Sequence, residues 1–203
     1  QVPPTATPTA TPTQAPPPPP VPTPTVPPTV VKPYVIFGDG TWVVGDDIAP
    51  GTYEASNPEG QCYWARLSGF SGELNDIVAN ANGDSRMVVE IKENDTGFTS
   101  TNCGQWTVLG RTGALLTSFS DGTWIVGDDI VAGTYSTPNT GDYCYWARLS
   151  GFGGELEGIK ANGVPTGQAV GAIEKSDTGF LSSGCGTWTI PEATPTSQQP
   201  YKP

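Results

Sequence analysis

The sequence contains the same segment twice, and this duplication constrains the fold more than any other feature. Residues 37–108 and 119–190 align at a constant offset of 82 without a gap, and 40 of the 72 aligned positions are identical. Self-similarity over about 70 residues is typical of a module that is repeated as a folding unit. We therefore expect two small domains of the same fold in tandem.

Each repeat carries two cysteines that lie 41 positions apart. In a small exported domain, an even number of cysteines is typical of a disulfide framework. Four cysteines allow three pairings, and the duplication favours Cys62 with Cys103 and Cys144 with Cys185, because each repeat then closes on itself. A four-cysteine metal site is disfavoured because the sequence has no Cys-x-x-Cys pair. Free cytosolic thiols are disfavoured by the neighbouring proline- and threonine-rich segment.

Short β-rich runs alternate with turn residues, and helix signals are nearly absent. This pattern predicts an all-β chain with two tandem small antiparallel β-sandwich or barrel domains. The runs of the first repeat are residues 41–44, 51–55, 61–67, 87–91 and 105–108. The runs 34–37 and 115–119 precede the repeats. We expect each of them to form a hairpin with the next strand, across residues 38–40 or 120–122.

Composition divides the chain into five segments. Residues 1–33 hold 14 of the 22 prolines and eight threonines, which predicts an extended stalk without a core of its own. We expect the first repeat domain at 34–109, a linker at 110–114, the second repeat domain at 115–191 and a tail at 192–203. Proline-flanked threonines stay accessible, so we expect O-linked sugar on the stalk. The candidate threonines are Thr5, Thr7, Thr9, Thr11, Thr13, Thr23, Thr25 and Thr29.

The charge and the missing histidine exclude several classes of function. A net charge of −11 repels phosphate backbones, so we expect no nucleic-acid partner. Without histidine the chain cannot build a Ser-His-Asp triad or a histidine-ligated zinc site. We expect no enzymatic activity, no catalytic residue, no metal and no cofactor. No apolar run is long enough to predict a membrane span.

The six tryptophans allow two interpretations. They are Trp42, Trp64 and Trp106 in the first repeat and Trp124, Trp146 and Trp188 in the second. Strand alternation places Trp64 on the same face as Cys62 and Arg66. The tryptophans either pack around the disulfides as core or form an exposed platform for stacking on sugars. We favour the core, because a small domain needs bulky side chains in its interior.

An arginine on the face of the strand that carries the cysteine and the tryptophan requires a carboxylate partner. The candidate partners of Arg66 and Arg148 are Asp46, Asp47, Asp128 and Asp129. The alternative is that these arginines bind an anion or a sugar. The same aspartates, with Asp39 and Asp121, are also candidate calcium ligands, but they lack the spacing of a known calcium loop. We expect them to cap turns.

The strings FGDGTWVVGDDIAPGTY (37–53), CYWARLSGF (62–70), DTGF (95–98) and CGQWTV (103–108) resemble a repeat of exported bacterial surface proteins. The likeness covers nearly all of both copies, and such repeats often follow proline- and threonine-rich linkers. No activity is established for them. The resemblance therefore implies a secreted, extracellular or cell-surface location and a modular build, and it implies no catalytic residues.

These features predict a structural or adhesive protein, specifically a self-assembling subunit of a glycosylated extracellular fibre. Contact between two similar but non-identical domains, head to tail, gives an open filament rather than a closed ring. We also expect the N-terminal segment to take part, with Val30–Val31 or residues 34–37 covering a sheet edge of a neighbouring copy. The alternative is a tandem carbohydrate-binding protein, which a strip of exposed aromatic side chains would favour.

Overall fold

A computed structural model describes residues 36–56, 60–110, 113–138 and 143–191. Within these ranges the chain folds into strands and two short 3₁₀ turns, and the paired strands run antiparallel. The predicted stalk with its threonines, Val30–Val31 and the C-terminal tail lie outside the described residues. No helix in the described ranges is long and apolar enough to cross a membrane.

The two repeats have corresponding strands. The first contains β1 (Gly40–Val43), β2 (Gly51–Ala55), β3 (Cys62–Leu67), β4 (Ile77–Gly83), β5 (Met87–Ile91), β6 (Gly97–Thr101) and β7 (Thr107–Val108). The second contains β8 (Ser118–Phe119), β9 (Gly122–Ile125), β10 (Gly133–Thr137), β11 (Tyr145–Leu149), β12 (Ile159–Gly163), β13 (Ala169–Ile173), β14 (Gly179–Ser183) and β15 (Trp188–Thr189). The 3₁₀ turns are Leu74–Asp76 and Leu156–Gly158.

Each repeat is a sandwich of two sheets, as the spacing of its strands predicted. In the first repeat a four-stranded sheet has the order β1-β6-β3-β4 and a smaller sheet has the order β5-β2-β7. The second repeat has β9-β14-β11-β12 and β13-β10-β15-β8. Alternate residues of both sheets meet in one core per repeat, which is the arrangement that period-two patterning favours.

Aromatic side chains and one disulfide fill each core. Cys62 is bonded to Cys103 and Cys144 to Cys185, the pairing that the duplication predicted. The Phe98 ring lies between two tryptophans, stacked on Trp64 at 6.2 Å and edge-on to Trp106 at 5.4 Å. The second repeat repeats this aromatic arrangement. Such contacts stabilise a domain whose core is too small to rely on aliphatic burial alone.

The expected hairpins across 38–40 and 120–122 are wrong. Strand β8 pairs with β15 whereas β9 pairs with β14, so the chain crosses from one sheet to the other at Asp121. Asp121 fixes this corner, because its carboxylate accepts hydrogen bonds from the backbone N–H groups of Cys185 and Gly186. In the first repeat Phe37 likewise bridges Trp106 of its own repeat, so Phe37 is already engaged within its own domain.

Candidate functional site

The most distinctive site is the junction where the second repeat packs on the first. Over the ranges that the structure describes, both repeats belong to one compact unit. We define the docking surface of the second repeat as the loop 149–156 together with strand β9. Its Phe152 and Ile125 pack against Val88 of the first repeat in a small apolar cluster. The backbone N–H of Glu90 donates a hydrogen bond to the Phe152 carbonyl at 2.9 Å.

The matching surface of the first repeat, which we define as the receiving face, contains Trp64, Arg66, Arg86, Val88 and Glu90. It lies along strands β3 and β5. Within the same repeat, Arg66 donates to both carboxylate oxygens of Asp95, at 2.7 and 2.8 Å. Across the junction, Nη1 of Arg66 donates to the Gly153 carbonyl at 2.7 Å. It also contacts Glu155 Oε1 at 2.5 Å.

The predicted partners of Arg66 and Arg148 are therefore wrong. Asp95, in the turn before β6, pairs with Arg66, and Asp177 pairs with Arg148. The reason is register: β6 lies beside β3, with Phe98 opposite Arg66, so the turn three residues earlier reaches the guanidinium. Asp47 instead accepts from the backbone N–H of Val43, which is the turn capping expected of these aspartates.

Glu155 is held as a carboxylate by two cations of the other repeat. Lys92 Nζ lies 2.6 Å from the same oxygen that contacts Arg66. Burial alone would raise the pKa of Glu155, but the hydrogen bonds from Lys92 and Arg66 lower this pKa to about 2. The junction therefore contains an anion that stays charged across the physiological pH range.

Arg86 forms a second ionic group at the junction. Its guanidinium joins Glu54 of its own repeat to Asp129 of the other, at 2.7 Å in each case, and it also lies over the ring of Trp124. The backbone N–H of Thr123 donates to the Arg86 carbonyl at 2.8 Å. The sequence pattern did not identify Arg86 as a functional residue. The feature that could have identified it is that the corresponding position of the second repeat holds glutamine, Gln168, instead of arginine.

Among the described residues, none covers the docking surface of the first repeat or the receiving face of the second in this way. Phe70 is 51% exposed whereas its counterpart Phe152 is 8% exposed. Val170 is 58% exposed whereas its counterpart Val88 is 5% exposed. The duplication thus leaves one unused docking surface at the first repeat and one unused receiving face at the second.

The receiving face of the second repeat satisfies its arginine internally. Arg148 contacts Asp177 at 2.7 Å and Glu174 at 2.8 Å. Lys160 Nζ contacts Asp177 at 2.6 Å. Burial would raise the pKa of Asp177, but hydrogen bonds from Arg148 and Lys160 lower it to about 2. Glu174 therefore gives Arg148 a second carboxylate from its own repeat, but at Nη2, whereas Glu155 contacts Nη1 of Arg66.

All six tryptophans lie in or against the two cores. Trp106 and Trp188 are fully buried, Trp64 is 2% exposed, and Trp42, Trp124 and Trp146 are partly buried. Asp39 accepts from Ser100 and from the backbone N–H groups of Cys103 and Gly104, so it caps a loop. In the described part of the chain, no three Cys, Asp or Glu side chains are grouped closely enough to hold a metal ion.

Each repeat has a groove on the outer face of one sheet, β1-β6-β3-β4 in the first repeat and β9-β14-β11-β12 in the second. In the first repeat it encloses about 360 Å³ beside Tyr63, Phe70 and Leu74. The corresponding positions of the second repeat line a cavity of about 270 Å³, and residues of the first repeat, including Trp64 and Val88, close one side. The junction therefore covers one side of this groove in the second repeat.

The fold and the junction define a pair of disulfide-bonded β-sandwich modules joined through a head-to-tail contact. The model of the Rv1352-like extracellular domain matches residues 34–107 and again 117–189, so the chain belongs to this family and carries two copies of its domain. The protein is secreted or exposed at the cell surface. No curated protein and no solved structure matched the chain.

Proposed function

We propose that the protein is a non-enzymatic structural subunit of the cell exterior that assembles end to end. The docking surface of the first repeat in one copy packs on the receiving face of the second repeat in another. The observation that carries this proposal is the contrast between covered and uncovered counterparts, above all Phe152 with Phe70 and Val88 with Val170. A contact between two different surfaces leaves one free surface at each end of the assembly, so copies continue to add unless the rotation between them closes a ring.

The hydrogen bonds between backbone groups at the junction do not depend on which side chains are present, so they can form equally well between copies. Within the chain, the Glu90 N–H donates to the Phe152 carbonyl and the Thr123 N–H donates to the Arg86 carbonyl. Between copies, the corresponding bonds would join Ala172 to Phe70 and Thr41 to Gln168. Exposed apolar side chains at both ends, such as Phe70 and Val170, are typical of an association surface.

The charges make the contact between copies weaker than the junction within the chain. Arg86 and Lys92 are replaced at the second receiving face by Gln168 and Glu174. A joining Glu73, the counterpart of Glu155, would meet Glu174 already bound to Arg148. Association between molecules also loses translational freedom, which the tethered repeats do not. We therefore expect assembly that depends strongly on protein concentration.

Two variants, each with one of the two association surfaces blocked, test the proposal; we call them capped variants. Phe70→Asp removes the docking surface and Val170→Asp removes the receiving face, and each should reduce sedimenting species to monomers. An equimolar mixture of the two variants should form dimers and nothing larger, because one intact end remains on each. Leu115→Asp, at a leucine that is 50% exposed outside both surfaces, should assemble as the unaltered protein does.

A full chain that stays monomeric at millimolar concentration would overturn the proposal. Assembly by either capped variant alone to the same size as the unaltered protein would do so too. Deletion of residues 1–29 tests whether the stalk takes part in assembly, as we expect. If that chain assembles like the full one, the stalk is only a spacer.

The alternative, carbohydrate binding, has one specific observation in its favour. The open groove of the first repeat places the aromatic rings of Tyr63 and Phe70 beside Glu73 and Asp76, and aromatic faces with polar neighbours suit a sugar. The two functions compete for the same groove, because end-to-end contact would cover it. A glycan array probed with the monomeric Val170→Asp variant therefore separates them, since that variant keeps the groove open.

A further inference from the structure

The side chain of Arg148, on the receiving face of the second repeat, presents one nitrogen that no described residue uses. Asp177 accepts from its Nε at 2.7 Å and from its Nη2 at 3.0 Å, and Glu174 contacts the same Nη2 at 2.8 Å. Nη1 has no partner among the described residues. It is also open to solvent, since Trp64 Nε1 is the one buried side-chain nitrogen or oxygen without a partner in the described part of the chain. The guanidinium is therefore fixed on one edge and open on the other.

The corresponding atom of the first repeat shows what such a donor binds. Arg66 is held by Asp95 at Nε and Nη2 in the same way, at 2.7 and 2.8 Å. Its Nη1 donates to the Gly153 carbonyl at 2.7 Å and contacts the Glu155 carboxylate at 2.5 Å. A guanidinium that is already fixed loses little freedom when it binds two further oxygens. Arg148 therefore offers a preformed site for a backbone carbonyl and a carboxylate from one loop.

Two further contacts of the docked loop have counterparts at the open face. Within the chain, the Phe152 carbonyl accepts from the Glu90 N–H and the Phe152 ring packs on Val88. Ala172 and Val170 occupy the corresponding positions of β13. This strand lies at the edge of its sheet and pairs with β10 in the register in which β5 pairs with β2. The Ala172 N–H therefore points away from the sheet, as the Glu90 N–H does.

The charge around Arg148 suits an anionic partner. In the first repeat, the five positions concerned hold two cations and two anions: Arg66, Val78, Lys92, Glu93 and Asp95. In the second repeat, the same positions hold three cations and two anions: Arg148, Lys160, Glu174, Lys175 and Asp177. The open face thus carries a local charge of +1 on a chain whose net charge is −11. A carboxylate of another copy is attracted to this face, although the two molecules as a whole repel each other.

We propose that the receiving face of the second repeat recognises a short loop with the order of groups found at 152–155, which is an aromatic side chain, two backbone carbonyls and then a carboxylate. The loop that supplies them is residues 70–73 of another copy, so this inference rests on the proposed end-to-end assembly and names the groups that carry it. Nη1 of Arg148 binds the second carbonyl and the carboxylate, the Ala172 N–H binds the first carbonyl, and the aromatic ring packs on Val170.

One residue separates the two loops in composition. Residues 152–155 read Phe-Gly-Gly-Glu, and residues 70–73 read Phe-Ser-Gly-Glu. A Cβ at residue 153 would lie 3.0 Å from Nη1 of Arg66 and closer still to the Glu155 carboxylate. The carboxylate, at the end of a flexible side chain, must turn to admit serine. A loop with glycine at this position should therefore bind more tightly than the natural loop of the first repeat.

Disulfide-closed peptides of residues 67–77 test the site, because Leu67 and Ile77 lie opposite each other in adjacent strands and a cysteine added at each end can close the loop. The receptor is the full chain with Phe70→Asp, which keeps the receiving face and lacks the docking surface. The measurement is the Nε–H resonance of Arg148 in ¹H–¹⁵N spectra. The peptide should shift it along a saturable curve with one site per chain. The Arg66 resonance should stay in place, because Nη1 of Arg66 is occupied.

Two altered peptides report on the groups that carry recognition. Glu73→Gln should bind at least about tenfold more weakly, since it loses a hydrogen bond between charged groups. Ser71→Gly should bind more tightly than the natural loop. These comparisons need no substitution at the site itself, and the unaltered chain, diluted until it is monomeric, can replace the Phe70→Asp receptor.

Equal affinities of the natural and the Glu73→Gln peptides would overturn the proposal, and so would a shift that grows linearly without saturation. A response to sodium acetate as strong as that to the peptide would also overturn it, because the site would then bind any carboxylate. Assembly of the unaltered chain without peptide binding would refute loop recognition and leave the end-to-end contact standing. Peptide binding by a chain that never assembles would refute the assembly and leave loop recognition standing.

Discussion

Arg66 of the first repeat and Glu155 of the second form a salt bridge of 2.5 Å across the junction, and the Arg66 side chain is only 1% exposed. Both residues recur in the other repeat, as Arg148 and Glu73. Each repeat thus contains both the arginine and the glutamate, but the described salt bridge between repeats joins only Arg66 to Glu155. This relationship makes the junction a specific interface rather than an incidental approach of two tethered domains.

Glu155→Gln should weaken the junction without unfolding either sandwich. Arg66 keeps Asp95 as a partner, so we expect a loss of about 1.5–3 kcal/mol, the usual range for hydrogen bonds to a charged group. Denaturant unfolding, followed through the fluorescence of Trp64 and its neighbours, measures this loss. Glu157→Gln, at an exposed position of the same turn, is the control. Equal stability of the two variants would show that the salt bridge contributes nothing.

Stability should fall between about pH 4.5 and pH 2. Glu155 has a pKa lowered from 4.5 to about 2, and Asp177 has one lowered from 3.8 to about 2. A carboxylate with a depressed pKa in the folded state stabilises the protein fully above its unfolded pKa. That contribution is lost as the pH falls through the folded value. Urea midpoints measured from pH 7 to pH 2 should show this slope, and Glu155→Gln should flatten it. A midpoint that is constant down to pH 3 would contradict the prediction.

Local pattern predicted most of the fold. The runs 51–55 and 87–91 coincide with β2 and β5, because both contain residues of high β propensity, Thr52 and Tyr53 in the first run and Val88, Val89 and Ile91 in the second. The cysteine pairing followed from the duplication alone. The hairpin prediction failed because Gly-Asp-Gly and Ser-Asp-Gly are turn signals that do not say which sheet the chain enters next. That choice depends on Asp39 and Asp121, whose hydrogen bonds reach residues more than 60 positions away.

The junction could not be predicted in the same way. Arg66 was recognised as needing a carboxylate, but Asp95 and Glu155 are brought to it by strand register and by packing between repeats. These are tertiary relationships that carry no local signal. The differences between repeats were informative: Arg86 and Lys92 contact the other repeat, whereas the contact described for the counterpart of Lys92, Glu174, is with Arg148 of its own repeat. Positions at which the two repeats differ in sequence thus indicate which receiving face is in contact with the other repeat.

Removal of either disulfide should destabilise its own repeat. Each bridge closes a loop of 41 residues in sequence separation, and loop-closure entropy gives about 4 kcal/mol per bridge. Replacing Cys144 and Cys185 by serine should unfold the second repeat first and abolish the junction with it. Replacing Cys62 and Cys103 should affect the first repeat. Calorimetry of the two double variants should show separate losses, and a variant with unchanged melting temperature would contradict this account.

Glu174→Lys should strengthen association between copies. The change introduces at the second receiving face the residue found at the first, Lys92, and releases Arg148 from Glu174. An incoming Glu73 would then meet two cations, as Glu155 does within the chain. Sedimentation equilibrium should show a lower dissociation constant, by about tenfold if one ionic contact of about 1.4 kcal/mol is gained. Glu157→Lys makes the same change of charge outside that face and should leave the constant unaltered.

Gly154→Ala should disrupt the junction, and Gly72→Ala provides a matched control within the same molecule. The two glycines occupy the same position of the repeat, with φ of +82° and +80°. Both substitutions therefore carry the same backbone strain, about 1 kcal/mol for alanine at positive φ. A Cβ at residue 154 would lie 2.6 Å from Cη2 of Trp64, whereas a Cβ at residue 72 has no atom within 4 Å. The clash requires the docking loop to move away from the receiving face, at a further cost of about 1–3 kcal/mol. Chemical denaturation should thus show a larger loss for Gly154→Ala, and Trp64 should become accessible to quenchers in that variant alone. Equal losses, with Trp64 still protected, would mean that the two repeats do not pack as described.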